Sequence, residues 1–484
     1  SPAIWRALTI RLAQRVADGN IDRGPRPDPR PRTIALIRAG ASRMPAEFVE
    51  ALIAQFRKHS TVAVMGAEVA RGVPPVPRNL ESSEATSALN ALENAHDYVL
   101  FIADDELTTW SEKMIRQADL VLAIGHHASG PEPNALERRA SELLPPDAMR
   151  LVLLHPRRET ITGTARWLKP RRIHMHHHVA REEPGDVARV YRFIAGTALG
   201  LVACGGGAYC AAHIGVYRAL LEAGLSFDIM GGTSGGAAMV AAFAMGASPD
   251  QVDEATHDIF VTNRAMRRYT FPRYSLLDHA HFDAQLARHY GGVDIEDLWI
   301  PYFSVSTNLS SYDLHRHRSG DVWSAVRATG SVPVLLPPIY TDEGHMLVDG
   351  ALLDNVPVKV MHELKSGPNV VISFDVPKLE RFDIDYRRLP GRLELIKQLL
   401  MGGRNLPPGP GVATVLMRAM MANRHGFERH LGPDDLLLVP PIPRGMGVLH
   451  WHRHRELTEV ACSWTEGELA RLRNEHHAAL QPLD

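Results

Sequence analysis

The stretch GGTSGG (Gly231–Gly236) sets a serine in the spacing G-x-S-x-G, with Gly232 and Gly236 two residues to either side of Ser234. A serine hydroxyl attacks a carbonyl only when a neighbouring base takes its proton, and a sharp strand-to-helix turn frees it from its neighbours' side chains. LSFDIM before it reads as a strand and AAMVAAFAMGA (Ala237–Ala247) after it as a buried helix of small residues, which is the context of a nucleophile elbow. The plainer reading of Ser234 is a helix N-cap in a glycine-rich turn. Upstream, CGGGAYCAAHIG (Cys204–Gly215) follows the apolar run LGLVA and opens another helical pattern. Amides of Gly205, Gly206, Gly207 and Ala208 at a helix start suit an anion, either a phosphate or the oxyanion of a tetrahedral intermediate. A dinucleotide fingerprint fails at its third glycine, where Cys210 stands, and Asp228 comes too early to grip a ribose. Paired with a serine elbow, the glycines read better as an oxyanion hole.

The serine needs a base. LVDGALLDNVP places Asp349-Gly350 directly after a short apolar strand. The residues by themselves leave a Ser/Asp dyad and a Ser/His/Asp triad equally open, since the chain has 25 histidines and His362, His425 or His430 would complete the order Ser…Asp…His.

The elements that must position these residues form two α/β units. TIALIRAG, TVAVMG, DYVLFIADD, ADLVLAIG and MRLVLLHP alternate with helical stretches such as PAEFVEALIAQFRKH, which argues for a mostly parallel sheet between helices. No complete phosphate loop follows any of these strands. A second α/β unit carries the glycine loop, the serine elbow and the later strands PYFSVSTNL, MLVDG and NVVISFDV. The expected division is residues 1–32 as a helix and Pro/Arg-rich linker, 33–185 as a smaller Rossmann-like unit without a nucleotide motif, and 186–484 as the serine-bearing unit with a C-terminal helical extension. In the first of these, Ile4, Leu8 and Leu12 recur at helical spacing before DRGPRPDPRPR (Asp22–Arg32), so Ser1–Val16 reads as the tail of an upstream domain.

Composition is ordinary for a globular chain of 484 residues, with 22% charged residues and a net charge of −2, so nothing points to nucleic acid. Cys204, Cys210 and Cys462 are too few for a disulfide framework and favour a reducing, cytoplasmic setting. No apolar run reaches the roughly 18 residues of a membrane span, and no signal peptide is evident.

GGGAYCAAHIGVYRALLEAG, GGTSGG and VDGALLDNVPV, in this order and spacing, resemble the patatin-like phospholipase family, and more closely its neuropathy-target-esterase branch in the bacterial type. The likeness extends through Asp297–Ile339 and covers most of Leu199 to Pro377. It implies a three-layer α/β/α hydrolase domain and a Ser/Asp dyad without histidine, with Ser234 as nucleophile, Asp349 as base, and the glycine-loop amides as oxyanion hole. It further implies hydrolysis of phospholipid or lysophospholipid esters, no metal or other cofactor, peripheral contact at the inner membrane surface, and an upstream cyclic-nucleotide-binding-like domain. The oligomeric state is not legible. One departure stands out: the family's glycines are followed by Ala-Arg-Gly, whereas here Ala208-Tyr209-Cys210 follow. The alternative that this leaves is a catalytically impaired protein that binds a lipid or a partner as a regulator.

Other features read more plainly. HMHHH (His174–His178) sets three imidazoles on one strand face, but no carboxylate or cysteine completes a zinc set, so a polar strand or an interdomain contact is expected. LHWHRHR (Leu449–Arg455) and DLHRHR are read alike. His213 reads as a packing or helix-orienting residue and Cys210 as an inert small side chain. Phe260–Leu277, FVTNRAMRRYTFPRYSLL, mixes aromatics with Arg264, Arg267, Arg268 and Arg273, a composition suited to anionic lipid headgroups or a lid, and equally to a solvated loop with core anchors.

Overall fold

Two series of apolar strands become two separate sheets. The computed structural model describes residues 30–66, 83–374, 384–400 and 426–475, with 415, 416, 418–420, 477 and 480. The expected N-terminal helix, most of the linker, and His425 lie outside the described residues.

The first sheet holds β1 (Thr33–Arg38), β2 (Val62–Gly66), β3 (Tyr98–Ile102), β4 (Leu120–His126), β5 (Met149–His155) and β6 (Met175–Ala180) in the order β2-β3-β1-β4-β5-β6. Every pair is parallel. Because side chains alternate along a strand, Ile34 and Leu36 pack on one face with the helices Ala46–His59 and Pro184–Ala195. Ala35 and Ile37 pack on the other with Ser83–Ala95, Thr109–Gln117 and Ala135–Leu143. Both faces are covered, which is why these strands read as continuous apolar runs. Since Val187, Val190, Tyr191 and Ile194 join the first sheet's core, we propose that the first unit runs through Ala195, past the expected boundary at 185.

The second sheet is mixed. It contains β7 (Gly200–Ala203), β8 (Ile229–Thr233), β9 (Tyr302–Asn308), β10 (Asp313–His317), β11 (Ile339–Tyr340), β12 (Met346–Asp349), β13 (Asn369–Ile372) and β14 (Leu436–Leu438). Its order is β11-β12-β9-β8-β7-β13-β14, with β10 beside β9. The strands from β9 to β14 along this path are parallel, and β10, β11 and β12 run antiparallel to their neighbours. The chain is thus an α/β protein whose three-layer α/β/α patatin-like domain follows a smaller Rossmann-like one. The C-terminal helix His454–Asn474 crosses the helix Ala212–Glu222 closely at Gly215, where a Cβ would lie 2.0 Å from the Thr458 carbonyl oxygen.

Polar bonds close the seam between the two units. His176 and His178 each place Nε2 2.8 Å from the Glu296 carbonyl, and His174 reaches the Leu364 carbonyl at 2.9 Å. The histidine cluster is therefore an interdomain contact, one of the two expectations from its pattern. Desolvation pushes His176 down to about 4, so it accepts no proton near neutrality. The buried Asp297 carboxylate accepts from the amides of Gly163 and Thr164 at 3.2 and 2.9 Å. Replacing it leaves both amides without an acceptor in a buried seam. Asp297→Ala is expected to lower the unfolding free energy by about 2–3 kcal/mol in denaturant titration, and a loss under about 0.5 kcal/mol would contradict this role.

Candidate active site

Register brings the separate motifs together. β7 and β8 are parallel neighbours with Ala203 opposite Gly232, so the glycine loop and the serine elbow leave the same end of the sheet side by side. On the other side of β8, β9 sets Val305 opposite Thr233, and its next residue, Ser306, opposite Asp349 of β12. One step beyond Thr233, Ser234 therefore arrives level with Asp349 across β9. Its Oγ donates to Asp349 Oδ2 at 2.6 Å.

The elbow has the expected strain. Ser234 adopts φ 53, in the left-handed region that non-glycine residues rarely enter. Its amide donates to Thr329 Oγ1 at 2.9 Å, and Thr329 Oγ1 in turn donates to the Val305 carbonyl. Gly232 and Gly236 permit the tight turn: a Cβ on Gly236 would fall 2.2 Å from the Cys204 carbonyl oxygen, and one on Gly232 would fall 2.7 Å from that of Ala203.

Asp349 is 1% exposed. Its Oδ1 accepts from the Ala351 amide at 2.9 Å, so one oxygen is held by backbone and the other faces the serine. Desolvation pushes its pKa up to about 6, against the lowering by the Ser234 and Ala351 bonds. No histidine bonds to Asp349 among the described residues. His362 is engaged by Asp435 Oδ2 at 2.8 Å, and His430 lies in the short turn Phe427–His430. His213 places Nε2 2.9 Å from the Cys204 carbonyl, where burial pushes it down to about 4, so it orients the loop as a neutral ring.

The glycine loop is narrower as an anion site than its sequence implies. The Gly205 amide donates to the Asn355 carbonyl at 3.3 Å, and that of Ala208 to the Val448 carbonyl at 2.8 Å. Gly206 sets its amide toward the buried Cys210 sulfur. Gly207, at φ 57, lines the cavity beside Ser234 and Gly235. The departure at 209 and 210 acquires a physical account here. The Tyr209 hydroxyl donates to the Met446 carbonyl at 2.9 Å, and the Cys210 thiol reaches the Cys204 carbonyl. Desolvation pushes the Cys210 pKa well up, which keeps the thiol protonated.

Sequence reasoning missed Thr329, Asn355 and the segment Met446–Trp451. Asn355 Nδ2 donates back to the Gly205 carbonyl at 3.3 Å, tying the glycine loop to the chain just past Asp349. Asn355 stands in the motif that carries Asp349 and Leu449–Trp451 in the histidine-rich LHWHRHR, but only the folded chain brings them near the serine.

Above Ser234 lies a cavity of about 440 Å³. Ala238 and Ala242 of the small-residue helix Ser234–Ala244, together with Val332, Leu335 and Leu336, line it. A π-helical turn, His257–Thr262, adds Ile259 and Phe260, and Phe260 stacks on Trp451 at 3.7 Å.

The fold and this site define a patatin-like α/β/α domain joined to a second α/β unit. Residues 201–362 match the family model of patatin-like phospholipases, and residues 32–197 match that of the neuropathy target esterase family P-loop like domain. Residues 201–362 are thus similar to patatin-like phospholipases, and residues 32–197 to the domain that precedes them in the neuropathy target esterase family. The chain is 30% identical over 331 residues to patatin-like phospholipase domain-containing protein 7 of Rattus norvegicus, covering 62% of this chain and 24% of that protein. Neuropathy target esterase sws of Drosophila melanogaster is 31% identical over 335 residues, covering 62% and 23%. A Caenorhabditis elegans patatin-like phospholipase domain-containing protein is 32% identical over 366 residues, covering 64% and 27%. The chain spans about a quarter of the length of these curated relatives. Among the described residues no helix is long and apolar enough to cross a membrane.

The raised Asp349 pKa has a consequence for stability. A carboxyl that binds its proton more tightly folded than unfolded favours the fold most below the ordinary value of 3.8, and this is lost as pH rises through about 6. Above that, the buried anion is a liability. Asp349→Asn should raise the unfolding free energy by up to about 3 kcal/mol near pH 8, and by much less near pH 4. A loss of stability at the higher pH would contradict the assignment.

Proposed function

We propose that this chain is a serine hydrolase of lipid esters, of phospholipase or lysophospholipase type, in which Ser234 and Asp349 act as a dyad. The observation that carries the reading is the 2.6 Å bond from Ser234 Oγ to the buried Asp349, at the base of an apolar cavity. Ser234 Oγ attacks the ester carbonyl carbon while Asp349 Oδ2 takes its proton. The carbonyl π bond opens and its oxygen becomes an oxyanion, for which the Gly207 amide is the proposed donor, with that of Gly235 after the nucleophile as a further one. Collapse expels the alcohol, which receives the proton from Asp349. Water then adds to the acyl-serine with Asp349 again as base, releasing the fatty acid and restoring the serine.

The substrate class rests on the cavity, whose alanines, leucines and aromatics suit an acyl chain, and on the relatives' names. No step calls for a metal or organic cofactor. A cytoplasmic setting is supported by the three cysteines, none of which forms a disulfide.

A nucleotide role for the first unit finds less support. After β1 the Gly40 amide donates to the buried Glu137 carboxylate at 2.9 Å, and Glu137 also bonds Arg171. The position that a phosphate would take at such a turn is filled by the protein's own anion.

A fluorophosphonate probe should label Ser234, with labelling abolished in Ser234→Ala and slowed at least about a hundredfold in Asp349→Asn. With a short-chain ester, kcat/KM should fall on the acid side with a midpoint near 6, set by the Asp349 carboxyl. Well-folded protein that neither labels nor turns over would favour the non-catalytic regulator instead.

A further inference from the structure

We propose that the exposed hairpin tip Arg267–Tyr274 is a docking surface for an anionic phospholipid membrane, seating the cavity mouth against the bilayer that supplies its substrate. This rests on the lipid-hydrolase reading only for what the docking is for.

All eight residues of RRYTFPRY are exposed. Three are aromatic, with Tyr269 80%, Phe271 86% and Tyr274 75% exposed, which is far outside the usual placement of such side chains. The tip is built rather than loose. Tyr269 bridges antiparallel to Leu277, the Thr270 amide donates to the Leu276 carbonyl at 3.0 Å, and the Asp278 amide to the Arg268 carbonyl at 2.8 Å. At its base Ser275 and Leu277 are buried. The aromatic rings are thus held out by a short ladder.

Charge selects the partner. Arg264, Arg267, Arg268 and Arg273 are exposed, and none forms an ion pair with a carboxylate among the described residues. Arg273 lies over the Tyr274 ring at 5.3 Å. The nearest acidic residue in sequence, Asp278, caps the next helix through the Ala280 amide. Unpaired arginines interleaved with rings that have an apolar body and a polar tip match the headgroup region of a bilayer with negative lipids.

Position links this tip to the site. The Leu276 and Leu277 amides donate to the carbonyls of Val334 and Leu335 at 2.8 and 3.1 Å. Leu335 lines the cavity with Val332 and Leu336, and Met266 lines it from the start of the hairpin. Val334, next to Leu335 in the chain, is 50% exposed. A membrane bound by the tip therefore meets the entrance that an acyl chain would use.

Vesicle sedimentation tests this with the chain carrying Ser234→Ala, which prevents lipid turnover. Vesicles of phosphatidylcholine alone are compared with vesicles that also contain phosphatidylserine. Binding to the second should be at least about tenfold tighter and should weaken as salt rises. Arg267→Gln/Arg268→Gln/Arg273→Gln should erase most of that preference. Tyr269→Ser/Phe271→Ser/Tyr274→Ser should cut binding about tenfold even at low salt. Equal binding by either loop variant, equal binding to both vesicles, or no binding overturns the proposal. With Ser234 restored, both loop variants should hydrolyse a water-soluble short-chain ester at the parent rate. Loss of that ester's hydrolysis in the parent would sink the hydrolase reading while leaving the vesicle result to stand or fall separately.

Discussion

The Ser234 hydroxyl and the Asp349 carboxylate meet at 2.6 Å in a place with almost no water, and much of the surrounding architecture follows from holding them there. A carboxyl buried this deeply prefers its neutral form, so its pKa rises to about 6. That value suits the base that the proposed reaction calls for, free near neutrality and yet able to hold a proton briefly. The left-handed Ser234 and the ionised carboxylate are both unfavourable by themselves. They persist because Thr329, Ala351 and the packed strands β8, β9 and β12 leave neither group an alternative.

The glycine loop shows the same logic from the other side. Its backbone must approach several groups that a side chain would exclude. A Cβ on Gly205 would lie 2.9 Å from the Ser234 Cβ, and one on Gly207 would lie 2.4 Å from the Val448 carbonyl oxygen. The C-terminal segment Met446–Trp451 therefore belongs to the site's wall rather than to a remote extension. Through Tyr209 and Ala208 it grips the loop, and through Leu449 and Trp451 it shapes the cavity. The replacement of the family's arginine by Tyr209 exchanges a charge for a hydroxyl with a definite acceptor in that segment.

The first unit presents its sheet edge β6 and the loop at Gly163–Thr164 to the second unit, and its contacts there are to backbone carbonyls or to one carboxylate. Such bonds fix orientation without needing charge on the histidines, which burial keeps neutral. The turn after β1 has its Gly40 amide satisfied by Glu137.

Local pattern in the sequence was enough for the two α/β units, the serine elbow, the glycine loop and the aspartate after its strand. Each is written in consecutive residues: alternation and apolar runs for strands, glycine spacing for turns that tolerate no Cβ, and small residues for a helix that borders a cavity. Period two put three imidazoles on one strand face, but only the folded chain set that face against the carbonyls of Glu296 and Leu364. Tertiary structure alone decided what depends on distance across the sheet. It brought Asp349 to Ser234, because register across β9 sets them level, while His362 is bonded to Asp435. It used the amides of Gly205 and Ala208 for structure, through Asn355 and Val448, residues far away in the chain. It also tied the loop that carries Arg267–Tyr274 to the cavity wall, through the Leu276 and Leu277 amides and the carbonyls of Val334 and Leu335. Composition can say that arginines alternate with aromatic rings, but only the folded chain says that they are exposed.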